Sequence, residues 1–588
     1  MQDYRAPLAD MRFVLRELVD WPWLMQLPGF GEASLDVAEA VLEEAAKFAS
    51  GVLSPLNLSG DVQGARWQDG RVLTADGWKQ AYERFTADGW SGLSCDPRFG
   101  GQNLPRALSA CAEEMWNGAN MAFALCPMLT RGTVDALELR GSPALQEKYL
   151  PRLVSGEWAG TMNLTEPQAG SDLAAVRCRA VPTGDGRYKL DGQKIFITYG
   201  EHDLTQNIVH LVLARIAGAP AGVKGLSLFV VPKFLVNDDG TLGARNDVHC
   251  LSIEHKLGIR ASPTCVLAYG QNAGALGELV GEENRGLEIM FIMMNAARYS
   301  VGLEGVGLAE RAYQAALAYA ADRVQSGIPI AGHPDVRRML LLMKSQVEAM
   351  RALAAVAAVS LDAARLHPDA EQRKQHQAFA DLMIPVVKGW CTEKSVDIAS
   401  LGIQVHGGVG FVEQTGAAQI FRDSRITPIY EGTTGIQAND LVGRKLARDG
   451  GRAAEAVIAR MRALAQSVPA ASELASAVRS FGGAVDSLHQ AVRHVVDHHA
   501  ADARGVAVGA VPLLELFGIV AGGWQLLRSA AIAEHRLAAP PADGAAAAFY
   551  RAKIAAARFY ADHVLPQAPG LAHTIVHGAA AAWIDGAL

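Results

Sequence analysis

From residue 10 to about residue 153 the apolar residues recur every three or four positions, as in MRFVLREL and AVLEEAAKFASGVL, and this spacing predicts a helical bundle. A Gly/Pro loop, FGGQNLP at residues 99–105, separates helices within it. At Trp158 the texture changes. From there to about Val280 come short segments such as RYKLDGQKIFIT, NIVHLVLARI, GLSLFVVP and CVLAYG, parted by Gly, Pro and Asp, which predict the strands of a compact β domain. Helical periodicity returns at Leu287 and runs through residues 297–323 and 337–366. Strands and helices are segregated, so the pattern predicts a β domain between two helical ones and not a doubly wound sheet. Beyond Lys445 an Ala-rich tail of about 140 residues, an ordinary domain size, shows helical stretches at 453–467, 471–504 and 545–564 with a break at Pro540 and Pro541. The domains expected are therefore 1–157 (helical), 158–280 (β), 281–448 (helical bundle) and 449–588 (helical extension).

A chain of 588 residues has room for several buried cores. Its formal net charge of -7 offers no basic field for nucleic acid or an anionic membrane surface, so a polyanionic ligand must be held by local donors. The seven cysteines are scattered, odd in number and without a CxxC pair, which argues against disulfides and structural zinc and fits a reducing cytoplasm. The opening MQDYRAPLADMRFVLRELVDW lacks the basic start and unbroken apolar core of a secretory signal. The longest apolar run, 513–527, contains Glu515 and three glycines and is too short and polar to span a bilayer of about 30 Å. A buried helix is expected there, and no membrane span. His489, His494, His498 and His499 put two imidazoles at i, i+4, but no HExxH or carboxylate-rich site accompanies them, and a polar helix face explains them without metal.

Candidate chemistry gathers in residues 422–444, RDSRITPIYEGTTGIQANDLVGR. Thr434 to Gln437 reads as a capping box, so a helix should begin near Thr434 with its free N–H groups towards Glu431 and Gly432. On spacing alone, Glu431 could simply complement the helix dipole. In MNLTEPQAGSDL, residues 162–173, Thr165 and Ser171 supply hydroxyls and Gly170 allows close backbone approach, which suits a pyrophosphate or pantetheine chain; a polar turn between strands would account for any one of them.

Taken together, IYEGTTGIQ with RDSRI before it resembles the catalytic-glutamate segment of the acyl-CoA dehydrogenases, and MNLTEPQAGSDL resembles their flavin- and substrate-contacting loop. KIFITYG (194–200), ARYSVGLEGVGLAERAY (297–313), DRVQSGIPI (322–330) and QVHGGVGF (404–411) are similar to further family motifs, in family order, from roughly Tyr4 to Arg444. The resemblance implies a mainly α fold with a helical N-domain, a β-barrel-like middle domain, a four-helix-bundle C-domain and the extra C-terminal helical domain of longer members. The opening APLADMRFVL and the length resemble the branch that includes 3-methylmercaptopropionyl-CoA dehydrogenases.

It also implies FAD as cofactor, contacted by Leu164, Thr165, Ser171, Phe196, Ile197, Thr198, Thr433 and Thr434. Phe196 would pack on the isoalloxazine and Thr198 would donate towards flavin N5. Arg323 and Gln325 would clamp the diphosphate across a subunit interface, with Gln404, Gly407 and Gly408 beside the partner's ADP moiety. Ser171, Arg298 and Gly432 would meet an acyl-CoA substrate, and Glu431 would be the catalytic base, since Ala297 occupies the alternative family position for that glutamate. Phe196 stands where many members carry Trp, Tyr199 where many carry Asn, and Ser326 where Phe is usual. The reaction implied is α,β-dehydrogenation of an acyl-CoA to a trans-2-enoyl thioester, assisted by donors on the thioester carbonyl and by water exclusion that raises the pKa of the base. Electrons would pass to an electron-transfer flavoprotein. The cross-subunit contacts imply a homodimer, with the extension over the face that shorter members use to form tetramers. A flavin oxidase or monooxygenase on the same fold, and a non-catalytic acyl-CoA-binding scaffold, are the other readings.

Overall fold

The computed structural model describes residues 4–31, 33–538 and 544–584. Pro540 and Pro541 lie outside the described residues. The chain forms two compact units, one from Met1–Ala46, Pro105–Gly118 and Val301–Leu588, the other from Lys47–Leu104 and Ala119–Ser300.

In the second unit the β-rich segments pair into one eight-stranded sheet. Its centre is Arg187–Thr198, twelve residues long, which pairs antiparallel with Thr264–Tyr269, Ala275–Val280 and Arg179–Pro182. Ala275–Val280 pairs with Leu226–Pro232, that strand with Asn207–Ile216, and Asn207–Ile216 with Arg179–Pro182, so the ladder returns to its starting strand and closes a barrel. Closure pairs these five strands on both sides, while Val248–Ile253 and Trp158–Asn163, at the ends of the sheet, each pair with one strand only. Asn207–Ile216, which reads NIVHLVLARI, is buried along nearly its whole length, as a strand covered on both faces must be. Trp158–Asn163 runs parallel to it and leads into the loop that follows. Around the sheet lie the helices Ser54–Gln63, Trp78–Ala87 and Pro143–Val154. A short hairpin, Arg66–Gln68 with Arg71–Leu73, interrupts the segment expected to be wholly helical. Its turn is Asp69-Gly70, both at positive φ, the backbone a tight hairpin needs.

The first unit is helical apart from a two-residue hairpin, Val324–Gln325 with Ile328–Pro329, turned by Ser326 and Gly327 at φ 53 and 83. Pro334–Leu366 and Ala370–His406 pack side by side, and Ala510–Ala538 packs across both. The last helix has the length and hydropathy of a membrane span, yet 83% of its most apolar window is buried within the protein. Small residues allow that docking: a Cβ at Gly518 would meet Trp390 at 2.1 Å. The expected helix over 471–504 ends at His498 and restarts at Ala503, where the Asp502 carboxylate accepts from Gly505 N–H at 2.8 Å and caps the new turn.

At the centre of this unit lies a buried charge cluster. The Arg351 guanidinium donates to Glu114 at 2.5–3.0 Å, to Glu310 at 2.7 Å and to Asp10 at 2.5 Å. Lys553, from the extension, donates to Asp10 and lies 3.0 Å from Glu348.

Candidate active site

Helix Ala417–Ser424 ends in a run of turns that carries Glu431 to the start of Thr434–Asn439. The helix begins where expected, but Thr433 is the cap: its hydroxyl accepts from Ile436 N–H at 3.3 Å. Thr434 is one residue too far in, and its hydroxyl bonds Glu393 instead. Gln437, expected to close a capping box, turns its amide the other way and donates to the carbonyls of Glu431 (3.1 Å) and Gly432 (3.2 Å). The Gly432 carbonyl also accepts from the buried Lys388 ammonium at 2.7 Å. Glu431 itself sits at φ 54, a left-handed conformation costing a non-glycine residue roughly 1–2 kcal/mol. Such strain persists only where neighbours over-determine it, and these three hydrogen bonds do so. Thr433 is exposed and Glu431 and Gly432 are half-buried, so the backbone that bears this carboxylate sits on a rigid mount.

Arg323 and Gln325 lie exposed at the Ser326-Gly327 hairpin, whose I′-like turn accounts for a small residue at 326. Gln404, Gly407 and Gly408 are exposed where helix Ala370–His406 ends, and nothing lies within 4 Å of a Cβ built on either glycine.

In the other unit the loop after Trp158–Asn163 is held by a buried ion pair. Lys194 Nζ lies 2.8 Å from Glu166 Oε1 and donates to the Leu164 carbonyl at 2.9 Å, while the Thr165 carbonyl accepts from Ile195 N–H. Burial works against the Glu166 carboxylate, but Lys194 and the N–H groups of Arg177 and Cys178 outweigh it and hold the group below the ordinary range. Thr165 is thereby fixed half-buried, with Ser171 exposed further along. Phe196, at φ 60, is 59% exposed. A bulky residue held left-handed and exposed is a surface prepared for something flat. Thr198 is half-buried nearby in sequence, whereas the Ile197 side chain points into the sheet core and offers a ligand no side-chain contact. Tyr199 is wholly buried, its hydroxyl donating to the Ala122 carbonyl at 2.7 Å and accepting from Trp78 Nε1 at 3.3 Å. Arg298 is also buried, against the Phe291 ring and 3.3 Å from Asn295 Oδ1.

Each unit by itself carries parts that suit a flavin: in the barrel unit an exposed aromatic residue and the hydroxyls of Thr165, Ser171 and Thr198, and in the helical unit the exposed Arg323 guanidinium and the open Gly407 and Gly408, groups suited to a diphosphate. Among the described residues no three His, Cys, Asp or Glu side chains gather to hold a metal ion. Sequence reading passed over Glu166, Lys194, Lys388 and Glu304, a buried carboxyl that accepts from the Tyr430 hydroxyl. A charged residue inside an apolar run, such as the Glu of VGLEGVGLA, was the available signal.

Models of the N-terminal, middle and C-terminal domains of acyl-CoA dehydrogenases match residues 36–157, 161–271 and 284–446. A further model, described as acetyl-CoA dehydrogenase C-terminal like, matches 457–583. Over 581 residues the chain is 50% identical to the 3-methylmercaptopropionyl-CoA dehydrogenase of Ruegeria pomeroyi, covering 96% of each protein. It is 34% identical over 590 residues to the broad-specificity linear acyl-CoA dehydrogenase FadE5 of Mycobacterium tuberculosis, again covering 96% of each. Among solved structures, an acyl-CoA dehydrogenase complexed with FAD from Bacillus anthracis aligns with a TM-score of 0.75 at 21% identity, covering 96% of this chain and 92% of that one, a likeness of fold.

Proposed function

The chain belongs to the acyl-CoA dehydrogenase family, and from that premise we propose that Glu431 removes the α proton of an acyl-CoA as a hydride leaves the β carbon, yielding a trans-2-enoyl thioester. The observation that carries this reading is the mount of Glu431, a residue whose left-handed backbone is held through its own and its neighbour's carbonyl, with Ala297 at the family's other position for the base. FAD, when bound, accepts the hydride.

This chain's residues do the rest. Phe196 offers the face on which the flavin lies, Thr165, Ser171 and Thr198 donate to it, and Arg323, Gln325, Gln404, Gly407 and Gly408 receive its diphosphate end in a homodimer. Ser171 and Arg298 hold the thioester substrate, and Gly432 leaves room for its acyl chain. The Glu431 backbone N–H donates to the thioester carbonyl, where negative charge develops as the proton leaves. Once the carboxylate has taken the proton it is neutral, and product departs. The electrons go on to an electron-transfer flavoprotein in the cytoplasm, and 1–157, 158–280, 281–448 and 449–588 are the domains of the working enzyme. The likeness to the Ruegeria pomeroyi enzyme points to 3-methylmercaptopropionyl-CoA or a short acyl thioester of similar shape as substrate.

Anaerobic bleaching of the flavin band by a panel of acyl-CoAs tests the reading. Bleaching by 3-methylmercaptopropionyl-CoA, with slow reoxidation by O2, is expected. Glu431→Gln should bind flavin and thioester yet lose about 10²–10⁴-fold in bleaching rate, the usual loss on removing a general base. A flavin that no thioester reduces, or a Gln variant as fast as the parent, overturns it.

A further inference from the structure

Glu304 sits on helix Gly286–Asp322, 1% exposed, in the run VGLEGVGLA. Its flanking glycines bring this helix hard against Ala370–His406: a Cβ at Gly302 would meet Val387 at 2.5 Å, and one at Gly305 the Cys391 carbonyl at 2.7 Å. One carboxylate oxygen, Oε2, accepts from the Tyr430 hydroxyl; the other, Oε1, is buried without a hydrogen-bond partner. Tyr430 precedes Glu431 in the chain, and Gly432, which follows it, is held through its carbonyl by Lys388 at 2.7 Å. The residue at φ 54 is thus fixed from both sides, by a side-chain anchor before it and a backbone anchor after it.

We propose that Glu304 is a positioning residue for the base: it anchors Tyr430 and so sets where the Glu431 carboxylate points. This rests on Glu431 being the base. Four groups face Glu304, namely Tyr430, Lys388 from Ala370–His406, Glu431, and Glu113 from Arg106–Arg140. Burial pushes Glu304 up to about 8, and Glu431 and Glu113 add to the rise against the pull of the Tyr430 hydrogen bond and Lys388. Burial and Glu304 likewise raise Tyr430 well above a phenol's ordinary range. Both partners therefore keep their protons at pH 7, and the anchor places no second negative charge beside the base. An ionised Glu304 would oppose the charge that develops on the thioester.

The test is stopped-flow bleaching by the best thioester across pH 6–9.5, on the holoenzyme and on Glu304→Leu, Tyr430→Phe, their double variant and Glu304→Gln. Leu and Phe, which both break the anchor, should each lower the limiting rate by ~10-fold or more with thioester affinity little changed, as misaiming a reacting group does. The double variant should be no slower than the slower single one, because the two substitutions remove the same bond. Glu304→Gln copies the neutral acid and should recover most of the rate at pH 7. It should also lack a break near pH 8 that the parent shows, a loss that a merely structural role for Glu304 would not produce. Tyr430→Phe keeps the test decisive if Glu304→Leu does not fold. A bleachable parent whose Leu or Phe variant keeps its limiting rate, or additive losses in the double variant, overturns the positioning role alone. A parent that no thioester bleaches overturns the base assignment and this inference together.

Discussion

At Gly432 a single methyl group would do two kinds of damage. The backbone is at φ 92, and a Cβ there would lie 2.7 Å from Gln437 Nε2, the amide that holds the carbonyls of Glu431 and Gly432. Gly432→Ala should therefore cost roughly 1–2 kcal/mol in stability and about 10–100-fold in flavin bleaching rate, because a shift near 1 Å at the base is enough for that. Thermal unfolding and stopped-flow bleaching on the same preparation check both, and an unchanged rate would mean the Glu431 mount is not what sets it. Glu431 and Gly432 were legible in the sequence through the resemblance of IYEGTTGIQ to a family segment, since the helix start alone reads as well as a dipole complement. The residues that hold them were not. Glu304 meets Tyr430 across 126 positions and Lys194 meets Glu166 across 28, and nothing in a local window announces either pairing. Ile197 and Thr434 show the complementary limit: a motif names a neighbourhood, while the pleat or the first helical turn decides which side chains face inward.

Between elements, the strongest joint is Arg351, which ties its own helix to those bearing Asp10, Glu114 and Glu310. Arg351→Met would leave these carboxylates buried with less counter-charge, a loss of about 3–5 kcal/mol when one partner of a buried pair is removed. The stranded acids would escape part of that cost by keeping protons. Burial already pushes Glu114 up to about 7 beside Arg351, and loss of the guanidinium would raise it further, so the folded variant binds more protons than the unfolded chain over a wider range and its stability falls more steeply as pH rises. The deficit in melting temperature against the parent should be larger at pH 8 than at pH 5.5; equal deficits would mean the cluster is not carrying charge. Periodicity foretold most of these helices but no charge cluster, since each member looks like an ordinary polar position on its own helix. The Arg66–Leu73 hairpin was missed for a different reason: its Asp-Gly turn is a strong local signal, outvoted by the helical texture on both sides.

For the molecule as a whole, the change of texture at Trp158 and again near Leu287 marked the strand-rich middle, because β-branched runs and three-to-four spacing are hard to confuse over a hundred residues. Closure of the barrel was beyond such reading, since it depends on Arg179–Pro182 pairing with two strands at once. Assembly is open to test. Phe411 is 85% exposed, with Val409, Val412, Val324 and Ile328 also exposed in the segments that carry Gln404, Gly407, Gly408, Arg323 and Gln325. A homodimer would cover apolar surface of this kind, and light scattering should find a particle of twice the chain mass; a tetramer would refute it.

The helical unit is assembled from three separate stretches of chain, and its first buried carboxylate, Asp10, is bonded to a lysine 543 residues later. At roughly 5–20 residues per second, a ribosome needs roughly 30–110 seconds to make that interval. The unit spanning Lys47–Leu104 and Ala119–Ser300 has all of its residues once Ser300 is made, some 250 residues before Lys553. The helix bearing Asp10 is made long before its counter-ions, Arg351 and then Lys553. A nascent chain stalled between Ser300 and Arg351 carries every residue of the barrel and an Asp10 still without either counter-ion, the state in which chaperones and proteases would meet it.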